Sequence, residues 1–418
     1  MMLLPQKLMG SLAVAALLSF GQQPPSVGSP AEQAVVLARK AIENNPGQAQ
    51  PYNDLAMALA RQVRDTADTA YYVEAEKALD QSFTIEPDNF AGLKTKAWIL
   101  LGKHEFAEAL KLATKLNRKF ADDVTVYGLM TDAHVELGNY KEAEESAQWM
   151  LDLGRASVPG LTRAAYLREL FGDIGGAIEL MESASRKINP GQLEDRAWIL
   201  TQLGHLHLLN GKVETAEQIL KQALELFPKY HYALGNLAKV RTAQQKHKEA
   251  ADLLQQRYQT AQHPENLYDL AVALVRAGRS REAKTAFAEF ERKARAEMEN
   301  VDNANRELVF YYADHARKPE EALRVARLEI SRRQDVYMTD AYAWALYRTG
   351  QFAEARKQLE KALAVGIRDP KFFYHAGAIA AKMKDREAAA RYLEQSIQLN
   401  SKSEVAAEVR DALGKVKL

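Results

Sequence analysis

The chain has 418 residues, of which 56 are basic and 55 acidic, so its formal net charge is only +1. A near-neutral chain exerts no long-range attraction on nucleic acid or on an anionic membrane, and we expect neither as a partner. It contains no cysteine, which excludes disulfides, thiolate metal sites, a cysteine nucleophile and lipid attachment through cysteine.

The N-terminus has the pattern of a secretory signal peptide, predicted at residues 1–21. Lys7 supplies a positive charge, residues 8–20 are apolar, and Ser19 and Gly21 are small residues suited to cleavage. The apolar run is shorter than the roughly 20 residues that span a bilayer. We therefore expect a periplasmic or secreted protein with no stable membrane insertion after cleavage. The alternative is an inner-membrane anchor formed by the uncleaved N-terminus.

Residues 22–30 are rich in Pro, Gly, Ser and Gln and are predicted to form a flexible linker. After the linker, an alanine recurs at intervals of 33, 34 or 39 residues over most of the chain. Such a period predicts stacked helical hairpins, with this alanine in the second helix of each hairpin. The alanines are Ala75, Ala109, Ala143, Ala177, Ala216, Ala250, Ala283, Ala322, Ala355 and Ala389.

A second small residue precedes most of these alanines by 12 positions and is assigned to the first helix of the hairpin. Two antiparallel helices approach closely only where both carry small side chains. Phe310 breaks this series in the eighth unit, so we expect its helix to shift register or splay. Glycine often lies five residues before the alanine, as at Gly138 and Gly172, and is expected to end the first helix.

The predicted fold is an all-α solenoid of about ten stacked hairpins over residues 31–418. It begins with a single helix at residues 29–45, and the first full unit carries seven extra residues near 61–72. Five extra residues lengthen the connections at 189–194 and at 300–305, which are candidate joints between parts of the solenoid. An amphipathic helix at residues 404–416 is expected to cap the last hairpin.

The segment at residues 197–228 has the spacing of a known repeat motif. Leu200, Leu203, Gly204 and His207 are followed at the motif's intervals by further small and apolar residues, namely Gly211, Ala216, Leu220, Ala223 and Pro228. This segment, and those at 339–366 and 371–401, resemble the repeats of exported bacterial tetratricopeptide repeat (TPR) proteins. The resemblance implies a TPR superhelix that binds other proteins, although the same motif serves many unrelated partners.

No catalytic, phosphate-binding or metal-binding signature is present, so we expect no enzymatic activity and no cofactor. His205 and His207 come closest to a metal pair. Residues two apart on a helix point in different directions, so these two side chains cannot chelate one ion.

The resemblance also implies which residues line the concave groove, since in TPR proteins the first helix of each hairpin faces inward. Tyrosine and tryptophan suit a binding surface because they bury a large area at low entropic cost. Packing between repeats is the alternative role for each ring. The candidate groove residues are Trp98, Tyr166, Trp198, Tyr232, Tyr268, Tyr311, Tyr337, Asp340, Trp344, Tyr347 and Tyr374.

These observations predict a non-enzymatic scaffold or adaptor that binds a protein or an extended peptide in its groove, in the bacterial cell envelope. Trp344, Tyr347 and Tyr374 are expected to contribute most to binding, because Tyr337, Asp340, Trp344 and Tyr347 share one helix face. A glycan-binding or cell-wall accessory protein is the alternative function.

Overall fold

The computed structural model describes residues 28–154, 156–300 and 302–417. The predicted signal peptide and most of the predicted linker lie outside these residues. All regular structure in the described ranges is helical, with no strand, which confirms the predicted all-α class. None of the described helices is both long and apolar enough to cross a membrane.

The helices, in chain order, are α1 (Pro30–Asn44), α2 (Ala49–Thr66), α3 (Ala70–Ile85), α4 (Phe90–Gly102), α5 (Phe106–Lys119), α6 (Val124–Glu136), α7 (Tyr140–Leu153), α8 (Val158–Leu170), α9 (Ile174–Lys187), α10 (Leu193–Leu209), α11 (Val213–Leu226), α12 (His231–Ala243), α13 (His247–Thr260), α14 (Pro264–Arg276), α15 (Ser280–Glu297), α16 (Asn305–Phe310), α17 (Pro319–Ile330), α18 (Val336–Arg348), α19 (Phe352–Ala364), α20 (Pro370–Lys382), α21 (Arg386–Leu399) and α22 (Ala406–Lys417).

Helices α2 to α21 pair into ten consecutive hairpins, as predicted. Helix α1 precedes them and packs on α2, and its N-terminus is closed by a capping box between Ser29 and Glu32. Helix α22 packs on α21 at the other end, where the buried Val409 contacts the Leu393 cluster. The two single helices therefore cover the apolar faces that the terminal hairpins would otherwise expose.

The small residues hold the two helices of each hairpin together. The ten recurring alanines are all buried, with at most 2 % of their surface exposed. Where the first helix carries glycine, the partner side chain fills the space of the missing Cβ. A Cβ at Gly204 would lie 2.5 Å from Leu220 Cγ, and one at Gly377 would lie 2.6 Å from Leu393 Cγ.

The interruption predicted at Phe310 is present as a change of helix type. Helix α16 ends at Phe310 after six residues, and Tyr311–His315 continue it as a π-helix. Phe310 is itself buried, so the bulky ring occupies the place of a small residue. The wider π-turn absorbs the register shift that this ring imposes.

The hairpin turns share one backbone conformation. The glycines expected to end first helices are left-handed, with φ of 74° at Gly138 and 81° at Gly172. Three other turns place His104, Gln245 and Lys384 in the same region, with φ of 61° to 62°. The turn geometry is therefore set by the hairpin rather than by glycine alone.

The first helices of the hairpins lie on the inner side of the solenoid. First helices of adjacent hairpins contact one another, as α4 contacts α6 and α6 contacts α8. Second helices of the described hairpins instead contact the first helix of their own hairpin and the first helix that follows it. The elements that are closest together lie on the inside of a curve. The inward-facing side chains of the first helices are thus placed on the concave face.

We expect Gly204→Ala to lower the free energy of unfolding by about 1–3 kcal/mol, because the new methyl group would overlap the Leu220 side chain. Gly414→Ala is the control, since a Cβ at this position would have nothing within 4 Å and alanine favours helix by about 1 kcal/mol. Urea denaturation followed by circular dichroism measures both. Equal stabilisation by the two substitutions would contradict the close helix contact.

Candidate binding surface

Successive turns of the solenoid touch each other. The Gln334 backbone N–H donates to the Glu136 carbonyl oxygen at 2.8 Å. Two residues further along, the Val336 N–H donates to the Tyr140 hydroxyl at 2.8 Å, although these residues are 196 positions apart in sequence. Since a hairpin has about 34 residues, about six hairpins complete one turn before the chain meets itself.

Two further contacts join distant repeats near the N-terminal end. Arg64, in the last turn of α2, forms an ion pair with Glu194 of α10. The Arg64 carbonyl oxygen also accepts a hydrogen bond from His231 Nε2 of α12 at 2.7 Å. Helix α2 has 18 residues where α4 has 13, and this longer end brings Arg64 to both partners.

The connection at residues 300–305 makes the same kind of contact. Asp302 Oδ1 lies 3.6 Å from His263 Nε2 and 3.9 Å from His104 Nδ1. Asp302 thus reaches a neighbouring repeat and a repeat of the preceding turn. These contacts oppose bending at 300–305, and the contact of Glu194 does so at 189–194.

Because the turns touch, the first helices surround a space along the solenoid axis. We call this space, which Tyr166, Tyr232, Tyr268 and Tyr337 face, the lumen. The expected open trough is therefore closed along its side. The lumen can be entered along its axis, or through the side if the turns separate.

Four of the predicted tyrosines line the lumen with partly exposed rings: Tyr166, Tyr232, Tyr268 and Tyr337. Their hydroxyl groups form no hydrogen bond with any described residue. Burial within the lumen raises the pKa of Tyr166, Tyr268 and Tyr337 well above 10, although Tyr166 is 37 % exposed. These rings are neutral hydrogen-bond donors in a confined space.

Tyr347 and Tyr374 form a second group of partly exposed rings near the C-terminal end. Tyr347 stacks on Trp344, with ring centres 4.7 Å apart. Tyr374 packs against the cluster that contains Val405 and Val409, so the capping segment covers part of its ring. Burial raises the pKa of Tyr374 to about 12.

Three predicted groove residues are buried among neighbouring side chains in this structure, namely Trp344, Asp340 and Tyr311. Trp344 is 4 % exposed, because its ring stacks on His375 at 4.0 Å and its Nε1–H donates to Asp314. Asp340 is paired with His375 at 2.7 Å. Tyr311 is also buried, and its hydroxyl donates to Glu291 at 3.0 Å.

Trp98 and Trp198 lie between repeats. Trp98 packs against the apolar clusters on both sides of α4, and Trp198 does the same for α10. Both rings stay partly exposed. In the structure these two rings therefore pack between repeats, which is the alternative role given above.

In the described ranges, no group of three or more histidine, aspartate or glutamate side chains is placed to hold a metal ion. His205 Nε2 instead lies 2.9 Å from Glu169 Oε1. Among the described residues, the side chains around His205 and His207 therefore do not form a metal site with three or more such ligands.

Arg333, in the α17–α18 connection, also joins two turns, because its Nη2 lies 2.9 Å from Glu136 Oε2 of α6. It is one of five residues between turns that were not predicted from the sequence, namely Arg64, Glu194, His231, Asp302 and Arg333. Three of them had a visible signal, because Arg64, Glu194 and Asp302 lie in the segments that break the repeat period. An insertion that interrupts a strict repeat is a candidate for a contact outside the repeat.

The His231 contact predicts how stability depends on pH. Burial lowers the pKa of His231 to about 4, with Arg257 and Arg64 adding to the effect and the hydrogen bond to Arg64 and the charge of Glu265 opposing it. The folded protein therefore favours neutral His231. The contribution of neutral His231 to the free energy of unfolding is fully present above pH 6.5. It decreases by roughly 3 kcal/mol as the pH falls towards 4.

We expect His231→Gln, whose amide can still donate to the Arg64 carbonyl, to weaken the loss of stability between pH 7 and pH 4.5. Thermal unfolding of both proteins across this range measures the difference. The same pH dependence in the two proteins would show that His231 is not buried as the structure places it.

Four segments of the chain match family models described as tetratricopeptide repeat, at residues 207–257, 267–289, 343–368 and 370–403. Together they fall within the last six hairpins. No curated protein sequence matches the chain at a significant level.

Several solved structures are similar. Human IFIT1, solved as a dimer with m7Gppp-AAAA, is 13% identical, with 88% of this chain and 86% of that chain aligned and a TM-score of 0.51. A TPR protein from Parabacteroides merdae is 19% identical over 63% of this chain and 100% of its own, with a TM-score of 0.38. Yeast Tom70 is 17% identical over 93% and 92% of the two chains, with a TM-score of 0.37. The four matching segments and the ten hairpins of the expected period support a tetratricopeptide repeat protein.

Proposed function

We propose that the protein is a non-enzymatic scaffold or adaptor that binds an extended segment of a protein partner in its lumen. TPR folds generally serve as protein-interaction scaffolds, which supports the broad class. The proposal that the partner binds in the lumen depends on one observation, the row of partly exposed tyrosines along the first helices.

The row spans more than half of the solenoid, from Tyr166 on α8 to Tyr374 on α20. Each ring offers an apolar face and a hydroxyl without a protein partner, so it can contact a side chain and a peptide group at once. The rings are already held in place by the stacked helices. On binding, the partner segment would therefore lose conformational entropy, whereas the protein would lose little.

An extended peptide suits the lumen better than a folded domain does, because contacts between the turns close its side. Entry along the axis requires a free end or a flexible segment of the partner. Separation of the turns would admit an internal segment, at the cost of the contacts of Arg64, Asp302 and Arg333.

The charges of the lumen disfavour a polyanion. Human IFIT1 was solved with m7Gppp-AAAA, but three arginines of the first helices are here paired with carboxylates. Arg64 pairs with Glu194, Arg163 with Asp132, and Arg306 with Glu307. With a net charge of +1, the chain has no surplus of cations for phosphate groups.

The cell envelope is the proposed location, periplasmic or secreted, because of the secretory pattern at residues 1–21. The absence of cysteine is compatible with an oxidising compartment. Fractionation of cells that express the full chain tests this location, and protein found only in the cytosolic fraction would contradict it.

Photo-crosslinking tests the lumen as the binding surface. A benzophenone amino acid placed at Tyr232 or at Tyr337 should capture a discrete partner in the native cell, identified by mass spectrometry. The control position is Trp149, a ring that is 51 % exposed on the second helix α7. It samples the outer surface with a comparable probe.

We expect Tyr232→Ala combined with Tyr337→Ala to weaken the captured complex by at least about tenfold, because two large contact residues are lost. Trp149→Ala should leave the affinity unchanged. Capture from position 149 alone would contradict binding in the lumen. Retention of the protein on insoluble peptidoglycan, with no protein captured, would support the glycan-binding alternative.

A further inference from the structure

A cavity of about 230 Å³ opens from the lumen between two turns of the solenoid. Helices α4, α6 and α8 of one turn form its floor and sides, together with the α4–α5 turn. Arg333, from the α17–α18 connection of the next turn, closes it from the opposite side. The cavity is smaller than the roughly 300–1,000 Å³ of drug-binding pockets, so it suits a single side chain.

One part of the cavity is apolar. Leu101, Phe106, Val135 and Leu167 line it, and Val135 and Leu167 are each only 3 % exposed. An aliphatic chain of a few methylene groups can lie against these side chains and leave its polar end elsewhere.

The polar part contains two arginines, and Arg163 is fully engaged. Its Nε and Nη2 bind both oxygens of Asp132, and its Nε and Nη1 also donate to the carbonyl oxygens of Gly128 and Pro159. Arg163 and Asp132 therefore neutralise each other and leave little capacity for a ligand.

Arg333 is bound mainly to Asp335. Its Nε donates to Asp335 Oδ2 at 2.8 Å. Asp335 also accepts hydrogen bonds from the backbone N–H groups of Tyr337 and Met338 at the start of α18. The charge of Asp335 is thus satisfied by one guanidinium group and one helix terminus.

Glu136 is the carboxylate with spare capacity. Its Oε2 lies 2.9 Å from Arg333 Nη2, but that atom forms no hydrogen bond, although it is buried. Burial raises the pKa of Glu136 to about 7, with Asp335 and Asp132 adding to the effect and Arg333 and Arg306 opposing it. Arg306 is itself paired with Glu307 at 2.7 Å.

His104 also lines the cavity, although its Nδ1 faces Asp302 Oδ1 at 3.9 Å. Its Nδ1 is buried without a hydrogen-bond partner, and burial lowers the pKa of this ring to about 4. The ring is therefore neutral at pH 7 and supplies no positive charge to Glu136. The cavity therefore contains one buried carboxylate oxygen, Glu136 Oε2, that accepts no hydrogen bond and can accept one from a donor group of a ligand.

We propose that this cavity binds the side chain of an arginine or lysine of the protein partner. The methylene stem lies along Leu101, Val135 and Leu167, and the cationic group binds the Glu136 carboxylate. The proposal rests on the proposed function, since it names the chemistry of one residue of the segment in the lumen.

Two peptides that differ in one charge test the proposal with the full chain. The probes are acetyl-Gly-Gly-Arg-Gly-Gly-amide and the same peptide with citrulline, a neutral analogue of arginine with nearly the same shape. Isothermal titration at pH 8 should show at least about tenfold tighter binding of the arginine peptide. Equal affinity for the two peptides would overturn the proposal.

Two variants locate the site. Glu136→Gln keeps the side-chain size and should reduce the preference for arginine to less than about threefold. Leu101→Trp keeps every charge but fills the cavity, and it should weaken binding of both peptides. A preference for arginine that persists in Glu136→Gln would overturn the proposal, provided that circular dichroism shows a folded protein.

Glu217→Gln is the matched control, because Glu217 also pairs with an arginine, Arg241, but on the outer helix α11. It should bind both peptides as the unaltered protein does, and loss of the preference in this variant would place the effect outside the cavity. Photo-crosslinking from Tyr232 and Tyr337 does not involve the cavity. Capture there without arginine preference would therefore reject this inference alone, and no capture would reject the proposed function.

Discussion

The close approach of two helices at paired small residues is the constraint on which the structure depends. At each of the ten recurring alanines the opposing helix comes near enough that a larger side chain would collide with it. Gly204 and Gly377 show the limit, since even a Cβ there would overlap a leucine. Because every hairpin repeats this contact, each is placed on its neighbour at a similar angle, and small equal rotations add up to a closed turn.

Closure of the turn changes what the concave face can do. An open groove admits a partner from the side, whereas touching turns leave an axial lumen with Tyr166, Tyr232, Tyr268 and Tyr337 inside it. The segments that depart from the repeat secure this closure, through Arg64, Glu194 and Asp302. The same contacts place Arg333 over α6, so the cavity beside Glu136 exists only while the turns are together.

Much of the fold could be predicted from the sequence, because it follows from local spacing. The period places the hairpins, and Phe310 marks the one π-helical segment in the described chain. The burial of Trp344 could not be predicted, because it depends on Asp314 and His375 from adjacent hairpins, and a helix-face pattern carries no information on them. The insertions at Arg64, Glu194 and Asp302 marked candidate segments for contacts between turns. Which residues meet there could not be predicted, since this depends on rotations summed over about six hairpins.

Contact between successive turns is what the closed lumen depends on, and labelled cysteines measure it directly. The natural chain has no cysteine, so Asn139→Cys with Gln334→Cys provides two sites for pyrene maleimide. Asn139 follows Gly138, where a Cβ would lie 3.4 Å from Gln334 Cβ, and we predict strong intramolecular pyrene excimer emission. Each single variant controls for association between molecules. Monomer emission alone from the folded double variant would show that the turns are apart and that the lumen is open.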